Sequence, residues 1–344
     1  MTHKERFAAA LERRPVTGHV PHFELVFFLT METLGKVHPT HRNYGQWGQM
    51  SPAERRLHID DMALCYTAIA ERYGHDAIFV HQNPDTVDVA ELLIRRIRET
   101  TGDQYFIMMH GDCTFSIPDG DSMMKFALDM YDRPKKLLRA ARKQLEAAAA
   151  RAGELKRRGA APDGFALCSD YCFNVNPFFS SEQFGTFVAP FLAEIIGRYR
   201  EMGYYTIKHT DGNIMPILDQ MLDCKPDALH PLDPQGGVDL AEMKRIAGHR
   251  ACLIGNVNCG LLQTGTDEEI DSDARRALRD GMPGYGYIFS TSNCVYTGLQ
   301  LARYERMHDI WMREGVYGSD GAQAAPAQAA PAQAAPAQAA SAQR

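Results

Sequence analysis

Short apolar runs alternate along the chain with longer amphipathic stretches. The runs are Val20–Phe28, Asp76–Val80, Tyr105–Met109, Phe165–Tyr171, Tyr205–His209, Ala228–Leu232, Cys252–Val257 and Tyr287–Ser292. Between and after them the spacing predicts helices over Ser51–Tyr73, Val87–Thr100, Met123–Arg158, Ser181–Met202, Met215–Asp223, Leu240–Ala247, Asp267–Asp280 and Leu299–Glu314. The first of these opens with the capping-box pattern Ser51-Pro-Ala-Glu54, and the third is expected to break near Pro134. Strands separated by helices pair in parallel, because each return needs a crossover. Eight strand–helix units close most economically into a (β/α)8 barrel. An open doubly wound sheet is the alternative, but it normally carries a glycine-rich turn after its first strand. Here that segment reads His22-Phe23-Glu24-Leu25, and the barrel is favoured.

Composition changes the picture at one end. From Gly321 to Arg344 the sequence is an Ala-Gln-Ala-Ala-Pro array with no aromatic or β-branched residue to bury. We expect residues 1–318 to form the barrel and residues 319–344 a disordered low-complexity tail. Lysine and arginine total 37 against 43 acidic residues, a net charge of −6. That balance excludes a broad nucleic-acid surface and disfavours a highly anionic substrate unless local arginines reverse it. No uncharged apolar run reaches the ~18 residues needed to span a membrane. The charged N-terminal segment does not resemble a signal peptide. Eight scattered cysteines in a large domain point to reduced thiols and a cytoplasmic protein.

In a barrel, chemistry belongs where strands end. The runs finish in Glu24; His81, Gln82 and Asn83; His110 and Asp112; Asp170, Asn174 and Asn176; His209 and Asp211; Asp233; Asn256, Asn258 and Cys259; Asn293 and Cys294. Many such residues cap helices, but their concentration on one predicted face suggests a site. In Ile207-Lys208-His209-Thr210-Asp211-Gly212, His209 and Asp211 lie two apart and should face the same way. Together they make half a zinc site or a proton-transfer pair. Cys294 is the leading further ligand, followed by Cys259 and Glu24. Cys168, Cys172, Cys65 and Cys224 are assigned to packing.

Several segments resemble the uroporphyrinogen decarboxylase superfamily: Tyr205–Leu218, Ala228–Pro234, Asp239–Lys244, Leu253–Cys259 and the opening Lys4–Val16. The resemblance covers about residues 4–315 and implies one (β/α)8 barrel. It also offers two activities. The decarboxylases hold a polycarboxylate tetrapyrrole with arginines after the first strand, where this chain has Val20–Phe28 without arginine. Their catalytic aspartate is replaced by the neighbourhood of His81-Gln82-Asn83. The corrinoid-linked methyltransferase branch carries His-x-Cys at the fifth strand and a distant cysteine near the eighth. His209 and Cys294 match that pattern, and Asp211 stands where the intermediate cysteine would be.

The resulting expectation is a methyltransferase or demethylase acting between a small methylated substrate, or another acceptor such as a thiol, and a corrinoid carrier. Zinc would sit on His209, Asp211, Cys294 and Glu24. His81, His110, Asp170 and Asp211 are the expected catalytic residues, with Glu24, Asn174, Asn256 and Phe178 lining the substrate. Phe178 belongs to an apolar loop, Phe173–Phe184, read as a pocket wall. The chain lacks a corrinoid-binding Asp-x-His-x-x-Gly motif, so cobalamin would arrive free or on a corrinoid protein. The alternatives are uroporphyrinogen decarboxylation, and a barrel that binds a corrinoid or small ligand without catalysis.

Overall fold

The computed structural model describes residues 1–318; the repeat segment expected to be disordered, 319–344, lies outside the described residues. Seven of the apolar runs become parallel strands: β1 Ala77–Val80, β2 Phe106–His110, β3 Gly164–Leu167, β4 Tyr205–His209, β5 Ala228–His230, β6 Cys252–Ile254 and β7 Tyr287–Ile288. They pair in sequence order from β1 to β7. The eighth stave is the first run. The N–H of Phe289 donates to Pro21 at 2.8 Å, and the N–H of Asp76 donates to His22 at 2.7 Å. His22 and Phe289 form a parallel bridge, so this segment joins the two sheet edges and closes a TIM-like barrel. Pro21 has no N–H to give, and the join is made of single bridges rather than a ladder.

Helices follow the strands as the amphipathic periods predict. The long stretch after β2 divides at Pro134 into helices Gly120–Asp132 and Pro134–Arg157. Ser51 caps its helix by accepting the N–H of Glu54 at 3.2 Å. Two short helices, Thr30–Leu34 and Cys259–Thr264, fall in segments read as loop or strand end. Among the described residues no helix is long and apolar enough to cross a membrane. All eight cysteines are free thiols.

Strand alternation divides the interior into two cores. The outer faces, including Ile78, Ile107, Phe165, Leu167, Leu229 and Phe289, pack under the helices. The inner faces fill the lumen with Phe23, Phe79, Phe106, Met108, Ile207 and Ile254, together with Phe7 and Leu11 of helix His3–Leu11. That helix closes the bottom, where the N–H of Lys4 donates to Gln104 just before β2. Two residues further up the inner faces stand His81, His110, Cys168, His209 and His230. The lumen is thus apolar below and rich in imidazole at the mouth.

Candidate metal centre

The centre forms where β3 and β4 end side by side. Beyond β4 the chain turns at Gly212, with φ +80°; a Cβ there would lie 2.4 Å from the carbonyl oxygen of Phe173. Only glycine permits that approach, and it presses Asp211 against the segment after β3. Asp170 on that segment is fixed by its N–H to the Ser116 hydroxyl at 3.1 Å, and its Oδ1 accepts the N–H of Asp211 at 3.1 Å. His209 Nε2 then faces Asp170 Oδ1 and Asp211 Oδ1, each at 3.7 Å. One donor atom from each of the three residues lies within 4.8 Å of the others.

Electrostatics leave this group short of positive charge. Burial, reinforced by Asp170 and Asp233, pushes the Asp211 carboxyl up to about 8. Burial pushes His209 down to about 4, with Asp170 opposing it. Asn293 donates to Asp211 Oδ2 at 2.7 Å, whereas Asp211 Oδ1 is buried without a hydrogen-bond partner. On the other side of the imidazole, His209 Nδ1 and His230 Nδ1 are 2.7 Å apart, so one of them carries the proton they share. With the proton on His209 Nδ1, its Nε2 lone pair points at the two carboxylates, the orientation that a ligating histidine needs.

A divalent cation fits this arrangement: two carboxylate oxygens, one of them orphaned, and an imidazole nitrogen converge from two strand ends. Three protein ligands with an open position are the pattern of catalytic zinc sites, and a donor set without thiolate also admits harder divalent ions.

The neighbouring residue on β4 faces the opposite way. Lys208 is wholly buried in the outer core. Its ammonium donates to Asp112 Oδ2 at 3.0 Å, to the Leu167 carbonyl at 3.0 Å and to the Ser169 carbonyl at 2.9 Å. It also stands 4.0 Å from the centre of the Tyr171 ring. Asp112 accepts in addition from Ser169 N and from the N–H and hydroxyl of Thr114. Burial alone would raise Asp112, but Lys208 and these bonds hold it below its usual value. The ion pair ties the exit of β3 to β2 and β4, and so places Asp170.

The other residues expected from sequence are distributed unevenly. His81 and His110 stand at the mouth with ring centres 4.5 Å apart. Burial pushes His110 down to about 4, and His209 is close enough to add to that shift. Asn256 is spent on structure: its amide donates to Leu232 O at 2.8 Å and its oxygen accepts from Arg276 at 3.0 Å. Phe178 packs among Phe126, Phe173 and Phe179, and Asn174 is exposed. Glu24 lies outside the metal group. Its carboxyl accepts from Ser290 and Thr291, and burial raises it to about 8, so it stays protonated at neutral pH. Cys294 and Cys259 also lie outside that group. Burial, with Asp211 and Glu24 nearby, pushes the Cys294 thiol up to about 12. Sequence reasoning missed Lys208 and His230. A lysine inside an apolar parallel strand is itself a signal, since lysine is almost never buried unpaired.

The uroporphyrinogen decarboxylase (URO-D) family model matches residues 117–313. Among solved structures, a methyltransferase from Methanosarcina mazei superposes with a TM-score of 0.70 at 19% identity, covering 91% of this chain and 99% of the other. A B12-independent methionine synthase from Shewanella sp. W3-18-1 gives 0.47 at 14% identity, over 77% of this chain and 88% of the other. At such identities the likeness concerns the fold. No curated protein sequence matches the chain. The family match spans more than half of the sequence and includes β3 to β7 and the centre itself: the chain belongs to the uroporphyrinogen decarboxylase family.

Proposed function

We propose that this protein is a metal-assisted methyltransferase that moves a methyl group between a small methylated substrate and a corrinoid carrier, supplied free or by a partner protein. The observation that carries the metal reading is the convergence of His209 Nε2 and two carboxylates, with Asp211 Oδ1 buried and unpartnered. Asp170, His209 and Asp211 would hold zinc or a similar divalent ion, which supplies Lewis acidity toward the heteroatom that gives up or receives the methyl group. His230 fixes the ring of His209 through the shared proton, and Asn293 orients Asp211. His110 and His81 border the approach, and both are neutral at pH 7 because burial lowers them. They position the substrate and accept or return a proton. Methyl transfer is preferred over uroporphyrinogen chemistry because Val20–Phe28 carries no arginine to neutralise a polycarboxylate. The likeness in fold to a methyltransferase supports the same choice.

One observation favours a second reading. With Asp211 raised to about 8, a protonated carboxyl lies beside an imidazole, which suits delivery of a proton after loss of carbon dioxide. Incubation with uroporphyrinogen tests it, with coproporphyrinogen as the product that would favour it.

Plasma mass spectrometry after zinc loading and desalting tests the leading reading. About one zinc per chain is expected in wild type and in Cys294→Ser, and almost none in His209→Ala. An unchanged His209→Ala stoichiometry, or no zinc in wild type, sinks the metal. Methyl transfer is then read from the visible spectrum of added cob(I)alamin with a panel of O-, N- and S-methyl compounds. No conversion with any of them counts against the corrinoid.

A further inference from the structure

Away from the metal centre the mouth continues as a crevice between the end of β1 and the helix Pro134–Arg157. It consists of two cavities, of about 280 and 480 Å³, that share Asp85 and His110 as lining residues. The larger also touches Cys168, two residues before Asp170. Across the crevice Asp85 grips Arg151: Nη1 donates to Asp85 Oδ2 at 3.0 Å and Nη2 to Oδ1. The Nε–H of that guanidinium is buried with no partner. In the smaller cavity His81 Nδ1 is likewise buried and unpartnered. An arginine Nε is always a donor, so its missing partner must be an acceptor. The wall beside it is apolar, made by Ala147, Ala148, Phe165 and Tyr199. The combined space is of the order that small-molecule sites occupy.

We propose that this crevice binds a small organic carboxylate with an apolar body. The carboxylate meets Arg151 at Nε and exchanges with Asp85 for the rest of the fork, while the apolar part lies along the alanine and aromatic wall toward His110. As a binding site the crevice stands independently; as the substrate subsite of methyl transfer it rests on the reading above.

Titration calorimetry on the full-length protein tests this with benzoate as probe and benzamide as its uncharged isostere. Benzoate is expected to bind at least about tenfold more tightly than benzamide. Arg151→Met should remove that preference and leave benzamide unaffected. Asp85→Asn frees the guanidinium fork and should strengthen benzoate several-fold; a pair that merely braces the loop would give no gain. Equal affinity for the two probes, or an Asp85→Asn variant that binds benzoate no better than wild type, overturns the proposal, even where Arg151→Met fails to fold. Both titrations are run on chelator-treated and on zinc-loaded protein. Benzoate preference without zinc uptake sinks the metal centre and leaves the crevice standing. Zinc uptake without benzoate preference does the reverse.

Discussion

Lys208 and His209 are adjacent on β4 and both are buried, yet their surroundings differ in kind. The outward Lys208 has three acceptors within 3.0 Å and an aromatic ring beneath it. The inward His209 faces two carboxylates at 3.7 Å, too far for a hydrogen bond, and one of their oxygens has no partner at all. Burial of polar groups is costly in both places. On the outer face the protein offsets the cost completely; at the mouth it leaves the account open. The buried charge of Lys208 is satisfied, whereas Asp211 Oδ1 at the mouth has no partner, and the proposed metal would supply one.

Four experiments break or sharpen that contrast. The largest effect belongs to Lys208→Met, which leaves Asp112 buried without its cation and should lower unfolding free energy by about 3–5 kcal/mol in urea titrations. A loss below about 1 kcal/mol would mean that Lys208 is not architectural. Asp211→Asn should act in the opposite sense. It removes a carboxylate disfavoured by burial and by Asp170 and Asp233, so the melting temperature should hold or rise while zinc affinity falls at least about a hundredfold. Unchanged affinity would strike Asp211 from the ligand set. His230→Phe keeps the volume but removes the partner of His209 Nδ1, and zinc should bind about ten- to a hundredfold more weakly. Full affinity in that variant would make the imidazole pair incidental.

The last experiment concerns Glu24, which is buried and hydrogen-bonded but carries no charge at neutral pH. Its folded form keeps the proton up to about 8, whereas the unfolded chain releases it near the ordinary 4.5. Between those limits the unfolded state binds fewer protons, so this group's stabilisation is full below about 4.5 and is lost as pH rises toward 8. The slope is at most about 1.4 kcal/mol per pH unit. Glu24→Gln should flatten that part of the stability profile. A profile that coincides with wild type would mean that Glu24 ionises normally.

Most of the fold was legible because strand and helix periods differ, and the eight runs reappear as seven strands and a bridged eighth stave. The centre was legible in part. His209 and Asp211 share one strand end, and alternation alone aims them together. Asp170 was expected near the site as a catalytic residue. Its place beside His209 depends on β3 and β4 ending in register, which pairing decides and one-dimensional periodicity does not. Cys294 illustrates the opposite case. Family pattern and position at the end of the eighth run, just beyond β7, both pointed to it, but its neighbour Asn293 is the residue that reaches Asp211. Lys208 stayed hidden because a single polar residue in an apolar run looks like an interruption until its acceptors, on the exits of β2 and β3, are seen.

The closure of the barrel has a consequence for the order of events during synthesis. Phe289 completes its bridge with His22 across 267 positions of sequence. At a ribosomal pace of 5–20 residues per second, the first stave waits roughly ten to fifty seconds for the last. Throughout that interval Phe23 and Leu25 have no finished lumen to enter, and the nascent chain must keep this hydrophobic segment out of reach of other chains.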